Sequence, residues 1–473
     1  MSPLASLADL VHGPLERWAR ERGDAIALDD GQATLGFGDL YGAVRKVADA
    51  LNEAHAPNTV LVDDRQPTLC RIVEFLGVIE SGRCAAVSDP DWTGPTREAV
   101  RASIDATPCR DCPPSTPTSP FYIGFTSGST GLPKGFRRDH RSWVESFKVC
   151  IDTFGPDAAS RIAVPGRFSH SLFLFGILFG LWTGTGVVLQ ERYSAARLLD
   201  SLRKGDTPCL VAVPTQLVMA LDMANRRGMA PIRGVRLILI SGARWMRERT
   251  PELRRLCPNA RIIEFYGASE TSFIAWMLAD EHTPAQIVGR PFSNVDIDVR
   301  DTAGPGREGL IFVRSPMVFM GYAGGGDDGT AALRDGDWLS VRDMGRVDES
   351  GRLHLVGRQN RMIVTQGKNM FPEELESVLA AHRGVLAASV HGLHHPVRGH
   401  QVAAVLKLEP DAGVTVEGVT AWCRQHLEAY KVPRLLFACD DWPLTGSGKT
   451  DHHRLGHTLA ADRATTTWLR RLH

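Results

Sequence analysis

The chain alternates between two hydrophobic rhythms. Short runs dense in Val, Ile, Leu and Phe recur at Arg161–Val164, Val187–Gln190, Cys209–Val213, Val235–Ile240 and Arg261–Phe265. Between them lie stretches whose apolar residues stand three and four apart. The short runs suit buried strands, and the longer spacing suits one face of a helix. Their alternation predicts stacked βαβ units, hence an α/β fold with mostly parallel sheets in a large N-terminal region of several subdomains. Upstream, Thr34–Leu51 reads as a strand and an amphipathic helix, with Leu40, Val44, Val47, Ala48 and Leu51 on one face. Glu74–Pro90 reads as helix, turn and buried strand. Beyond residue 360 the pattern becomes that of a small α+β domain, so the expected division is 1–360 and 361–473.

One stretch strains this pattern. Ser171–Leu189 runs nineteen residues without a charge, near the length that spans a bilayer. Its apolar density stops at Trp182, and Thr183-Gly184-Thr185-Gly186 interrupts it before Val187. A short buried helix followed by a strand is therefore expected, with no stable membrane insertion. The opening residues lack a basic start followed by an apolar core, so no secretory signal is expected.

Charge and cysteines narrow the setting. The 54 Lys and Arg balance 54 Asp and Glu, leaving no net field to draw nucleic acid or an anionic membrane. The nine cysteines are scattered and odd in number, which fits a reducing, cytoplasmic compartment. Cys109 and Cys112 form a lone CxxC with no second pair at zinc-ribbon spacing, and read as a coincidence of the loop.

The candidate chemistry begins at Phe121–Gly135, FYIGFTSGSTGLPKG. A β-prone run feeds a loop of Thr126, Ser127, Gly128, Ser129, Thr130 and Gly131, closed by Pro133, Lys134 and Gly135. Glycines let successive N–H groups point at an anion, the hydroxyls add donors, and Lys134 supplies a point charge for a polyphosphate. A P-loop is excluded, because Pro133 stands where its second glycine belongs. A solvated Ser/Gly linker would share the composition, but linkers seldom follow an apolar strand.

The order TSGSTGLPKG resembles the phosphate loop of the adenylate-forming superfamily, which includes acyl-CoA synthetases, peptide-synthetase adenylation domains and luciferases. The resemblance implies ATP-dependent activation of a carboxylic acid to acyl-AMP, with pyrophosphate release and usually capture on a thiol. Further motifs follow in family order. In Arg261–Thr271, RIIEFYGASET, it implies that Tyr266 and Gly267 border the nucleotide and acyl carboxylate, Thr271 approaches the α-phosphate, and Glu270 binds Mg²⁺. Oxygen ligands suit that hard cation. In VRLILISGA, small Gly242 and Ala243 would let a flat ring lie against the backbone. Asp343 matches the carboxylate that accepts both ribose hydroxyls, and Arg358 the arginine that closes on the nucleotide. Gly367 matches the loop that shapes the thiol channel, and Lys449 the lysine bridging the acyl carboxylate and α-phosphate.

His170 matches the family histidine beside the acyl pocket, with Phe173 and Phe175 as pocket or core residues. Ser169 stands where peptide-synthetase domains usually carry Asp, which argues for a fatty or aryl acid and against an α-amino acid. Asn360 replaces the usual Asp or Lys at the pivot of a mobile C-terminal domain. His391, His394, His395 and His400 are expected in a loop that the family fills with Pro, Asp and Gly, without zinc. The resemblance thus implies an AMP-forming acid–thiol ligase using ATP, Mg²⁺ and CoA. Two alternatives stand beside it: an enzyme loading the phosphopantetheine of an acyl-carrier protein or another nucleophile, and a non-catalytic nucleotide-binding relative.

Overall fold

The computed structural model describes residues 8–62, 65–104, 107–109, 112–126, 133–302, 307–323, 332–365, 368–395, 399–410, 412–444, 450–460 and 468–472. The chain divides into two compact units. The first comprises Met1–Thr283, Val288–Ile297 and Val313–Leu339, and the second Pro284–Ile287, Asp298–Phe312 and Ser340–His473.

In the first unit the five β-prone runs become strands Ile162–Val164, Val187–Leu189, Cys209–Ala212, Leu237–Ile240 and Arg261–Ala268. With Ile26–Asp29 they lie parallel, in the order 261–268, 237–240, 209–212, 162–164, 187–189, 26–29. Every residue of the strands at 162, 187, 209 and 237 is buried, as continuous apolar runs require when helices cover both faces. Ser272–Leu278 adds antiparallel to Arg261–Ala268, and Thr34–Gly36 to Ile26–Asp29. A second sheet runs Gly321–Tyr322, Lys134–Asp139, Pro120–Thr126, Cys84–Val87, Thr59–Val62.

The uncharged stretch resolves as expected into a helix, Ser171–Trp182, and the strand Val187–Leu189. Nine of the helix's twelve residues are buried, so it has no wet face. Gly176 and Gly180, one turn apart, explain how it reaches the sheet. A Cβ at 176 would stand 2.8 Å from Val164 Cγ2, and one at 180 would stand 2.7 Å from Val187 Cγ2. The bare backbone therefore presses against the strands. Among the described residues no helix is long and apolar enough to cross a membrane.

The second unit joins the antiparallel strands Asp343–Val347 and Leu353–Arg358 to an α+β body. Its sheet runs Lys368–Met370, Ile363–Thr365, Gly399–Leu408, Leu435–Cys439, Leu469–Arg471, with Val385–His395 also paired to Gly399–Leu408. Helices Pro372–Ala380 and Val416–His426 contribute Leu375, Leu379, Val419 and Cys423 to its core, opposite Val390, Ala404 and Leu406. The histidines at 391, 394, 395 and 400 lie on the long 385–408 hairpin, with His394 opposite His400, and not in the irregular loop expected for them. Alternation with Val390, Val402 and Ala404 drives pairing that the histidine-rich composition obscures.

Candidate functional site

In the first unit, strands Pro120–Thr126 and Lys134–Asp139 form the two rails of the glycine-rich segment, with Thr126 opposite Lys134. The Thr126 hydroxyl donates to the Lys134 carbonyl at 3.5 Å. Ser127, Gly128, Ser129, Thr130 and Gly131 lie outside the described residues. Lys134 sets its ammonium over the Tyr322 ring, 4.1 Å from the centroid. The Tyr322 hydroxyl in turn donates to Glu270 Oε1 at 2.9 Å. Tyr322 reaches this place because Gly321–Tyr322 pairs with the 134–139 strand, and the Phe319 amide donates to the Glu270 carbonyl at 2.7 Å. Cation, aromatic face and carboxylate thus stand in one row.

Glu270 occupies the turn between strands Arg261–Ala268 and Ser272–Leu278. The register slips between Tyr266 and Gly267, where the strands pass very close. A Cβ at 267 would fall 2.0 Å from the Ser272 carbonyl oxygen, so only glycine fits. Thr271 is fully buried, and its hydroxyl accepts from the Ala268 amide at 3.2 Å, bracing the turn from within. Gly242, with φ of 86°, and Ala243 follow the neighbouring parallel strand and are exposed. Glu270, Gly242 and Ala243 thereby follow the carboxyl ends of adjacent parallel strands, with Tyr266 and Gly267 near the end of the strand that Glu270 follows. Open α/β sheets place ligands there.

Beneath the turn lies a residue that motif reading misses. Arg138 is 1% exposed and donates to the Ser269 carbonyl at 2.8 Å, Ser272 Oγ at 2.6 Å, the Met317 carbonyl at 2.7 Å and Ser142 Oγ at 3.2 Å. Burial pushes its guanidinium down to about 10, against the opposing pull of Asp139 and Glu270. Strand alternation carried the signal: residues 136 and 138 share a face, and Phe136 is buried. An arginine at such an inward position needs partners.

His170 stands elsewhere, at the start of helix Ser171–Trp182, with Nε2 3.9 Å from Asp89 Oδ2. Asp89 also accepts from Ser169 Oγ at 2.9 Å, and Arg167 lies 3.5 Å from its other oxygen. A carboxylate from a distant segment therefore sits against Ser169, and an arginine answers its charge. Phe175 packs among Phe147, Phe179 and Phe273, and so belongs to the core.

In the second unit Asp343 and Arg358 face each other across an antiparallel pair, Arg358 Nε donating to Asp343 Oδ1 at 3.0 Å. The carboxylate is buried and the arginine half exposed. Asn360 sits in a short turn, Gln359–Arg361, anchored by the Gln359 amide on the Arg342 carbonyl. Arg361 then enters a polar cluster, bonding Glu373 at 3.0 Å and Glu376 at 2.6 Å. His452 bonds Ser389 Oγ at 2.7 Å, and Ser389 bonds His391 at 2.8 Å. Burial holds both histidines down to about 4. Gly367 and Lys449 lie outside the described residues.

The CxxC is not idle: Cys109 and Cys112 are joined as a disulfide. The Cys109 amide bonds the Ala56 carbonyl and its own carbonyl takes Arg83 Nη2, which fixes the chain there independently of sequence spacing. Six of the seven free cysteines are buried. Among the described residues no three His, Cys, Asp or Glu side chains converge as a metal-binding set. The partly exposed Glu270 carboxylate still suits Mg²⁺, which keeps several waters and binds through one or two carboxylates plus substrate phosphates.

Comparison with known proteins adds a family to this geometry. A model described as AMP-binding enzyme matches residues 55–323, and one described as AMP-binding enzyme C-terminal domain matches 374–449. An uncharacterized acyl–CoA ligase of Bacillus subtilis is 37% identical over 361 residues, covering 75% of this chain and 72% of that one. A putative long chain fatty acid–CoA ligase of Staphylococcus epidermidis is 32% identical over 336 residues, 70% of each chain. Among solved structures, the o-succinylbenzoate coenzyme A synthetase of Bacillus subtilis in complex with AMP superposes with a TM-score of 0.81 at 22% identity, covering 93% of this chain and 97% of that one. An amide bond synthetase of Marinactinospora thermotolerans gives 0.80 at 24% identity, covering 95% and 100%. At such identities the two structures establish a shared fold.

Proposed function

Because this chain belongs to the AMP-binding enzyme family, we propose that it is an AMP-forming acid–thiol ligase, activating a fatty or aryl acid with ATP and passing the acyl group to CoA. One observation carries the reading: Lys134, Tyr322 and Glu270 stand in a row beside the rails of the glycine-rich segment. The acid's carboxylate and the phosphates of ATP are both anions and repel, so the first step needs positioning and charge neutralisation. In that step a carboxylate oxygen of the acid attacks the α-phosphorus of ATP, the bond to the β-phosphate oxygen breaks, and pyrophosphate leaves. Lys134 neutralises phosphate charge, and Lys449 bridges the acyl carboxylate and α-phosphate. Glu270 would hold Mg²⁺, which supplies further neutralisation of the phosphates when bound. Asp343 accepts the ribose hydroxyls and Arg358 closes on the nucleotide. Gly242, Ala243, Tyr266 and Gly267 border the base and acyl carboxylate.

In the second step the thiolate of CoA attacks the acyl carbon of acyl-AMP, and AMP leaves. We assign this step to a second arrangement of the segment after Asn360, in which the Gly367 loop faces the thiol. Ser169 carries no carboxylate of its own, and the Asp89 carboxylate that it meets has Arg167 at its other oxygen, which favours an acid without an α-ammonium group.

The test is ATP consumption over a panel of carboxylic acids, with and without CoA, resolving AMP from ADP. AMP and pyrophosphate that appear with one acid class and rise with CoA are expected. AMP formation indifferent to CoA would instead point to a carrier protein or another nucleophile. No turnover with any acid would leave a nucleotide-binding relative.

A further inference from the structure

Arg138 reaches from a distant strand to grip both ends of the Glu270 turn. Its four hydrogen bonds end on neutral oxygens: two flank Glu270–Thr271, at Ser269 and Ser272, and two lie on Met317 and Ser142. Ser142 is itself fixed by the Asp139 cap, through its amide at 2.8 Å, so the guanidinium is held on a helix start. A planar fork with donors at set angles can span such a pair of oxygens, and a lysine ammonium on a flexible stem cannot. Replacing it with an apolar group would leave buried carbonyls without donors, which costs more than the bonds themselves contribute.

We propose that Arg138 is a positioning residue for the metal–phosphate end of the site, setting the Glu270 carboxylate from below while Tyr322 sets it from the side. Arg138 touches neither substrate nor metal in this account. Its bonds to Ser269 and Ser272 fix the backbone on both sides of Glu270, and the Tyr322 hydroxyl fixes one carboxylate oxygen. The other carboxylate oxygen is then presented at a defined point relative to Lys134.

The inference rests on the assignment of Glu270 as a cation ligand, and the experiment separates the two. Full-length wild type, R138K, S272A and E270Q are compared by calorimetric titration of ATP at graded Mg²⁺, and of AMP without metal. Intact folding is checked by circular dichroism. E270Q is expected to raise the Mg²⁺ needed for half-maximal ATP binding. R138K should raise it by about 10-fold and S272A by about 3-fold, the loss of charge-assisted and single hydrogen bonds respectively, with AMP binding unchanged. Should R138K fail to fold, S272A decides. A wild-type Mg²⁺ requirement in R138K and S272A, alongside a raised one in E270Q, overturns the role of Arg138 and leaves Glu270 standing. Equal loss of AMP binding and Mg²⁺-dependent ATP binding would mean general loosening, which also overturns it. An unchanged Mg²⁺ requirement in E270Q removes the Glu270 assignment and the inference together.

Discussion

Arg138 and Arg361 are both drawn inside, one in each unit, and their surroundings are opposite in character. Arg138 bonds carbonyls and hydroxyls, so nothing in direct contact cancels its charge among the described residues, and burial lowers its pKa. Arg361 meets Glu373 and Glu376; burial pulls its pKa down, but the two carboxylates more than offset that pull. The difference teaches what each charge is for. In the first unit a cation is held by neutral oxygens beneath a turn where substrate anions are proposed to gather. In the second, the charge is spent on holding together a turn, a helix, a strand and the start of another helix, through Glu376, Val390 and His452. One arginine serves a site and the other serves a clamp.

The largest effect expected from this contrast is on Lys449, which belongs by sequence to the second unit. Lys449→Ala should lower ATP–pyrophosphate exchange by about 10²–10³-fold, the scale of a lost transition-state donor, while thioester formation from supplied acyl-AMP largely survives. Equal loss of both half-reactions would break the division of labour. Next, Arg361→Met strips the counter-charge from two enclosed carboxylates and should cost about 3 kcal/mol, read as a lowered urea midpoint. An unmoved midpoint would mean the cluster is no clamp.

The clamp should also be legible in pH. His391 and His452 are held to about 4 in the folded chain, while an unfolded histidine titrates near 6.5. Below 6.5 the unfolded state takes up protons that the native state refuses. Stability is therefore full above 6.5 and falls as the pH drops toward 4, by up to about 1.4 kcal/mol per pH unit for each histidine. Thermal melts from pH 7.5 to 4.5 should show this slope, and His452→Asn should flatten it. A wild-type slope in that variant would assign the effect to the other histidines that burial holds down, His391, His12 and His140. The smallest effect is expected from Tyr322→Phe. Losing one hydrogen bond to Glu270, about 1 kcal/mol, should raise the KM for ATP a few-fold and leave the melting temperature in place. A lowered melting temperature with unchanged KM would make Tyr322 part of the scaffold alone.

Much of this was readable from residues in a row. The parallel strands announce themselves because a strand buried on both faces must be apolar throughout, and Thr183-Gly184-Thr185-Gly186 marks where the buried helix stops. Gly267 and its neighbours form a local turn, so the motif and the geometry coincide. What stayed hidden depends on partners far apart in the chain. Arg138 meets Ser269, Ser272 and Met317, and Ser169 meets Asp89, across separations that no spacing rule spans. The histidines near 391–400 misled because their polarity suggests a loop, whereas the alternate positions Val390, Val402 and Ala404 decide for a hairpin.

The helix Ser171–Trp182 bears on how the protein comes into being. Until the strands carrying Val164, Val187 and Val211 have assembled, it is a dozen uncharged residues with nowhere to hide. During synthesis or dilution from urea such a segment is as ready to meet a second chain as its own sheet. Refolding yield should therefore drop steeply with protein concentration and recover with a chaperone that shields apolar segments. The uncharged residues that this helix buries in the folded chain thus set a ceiling on how crowded the chain's birthplace can be.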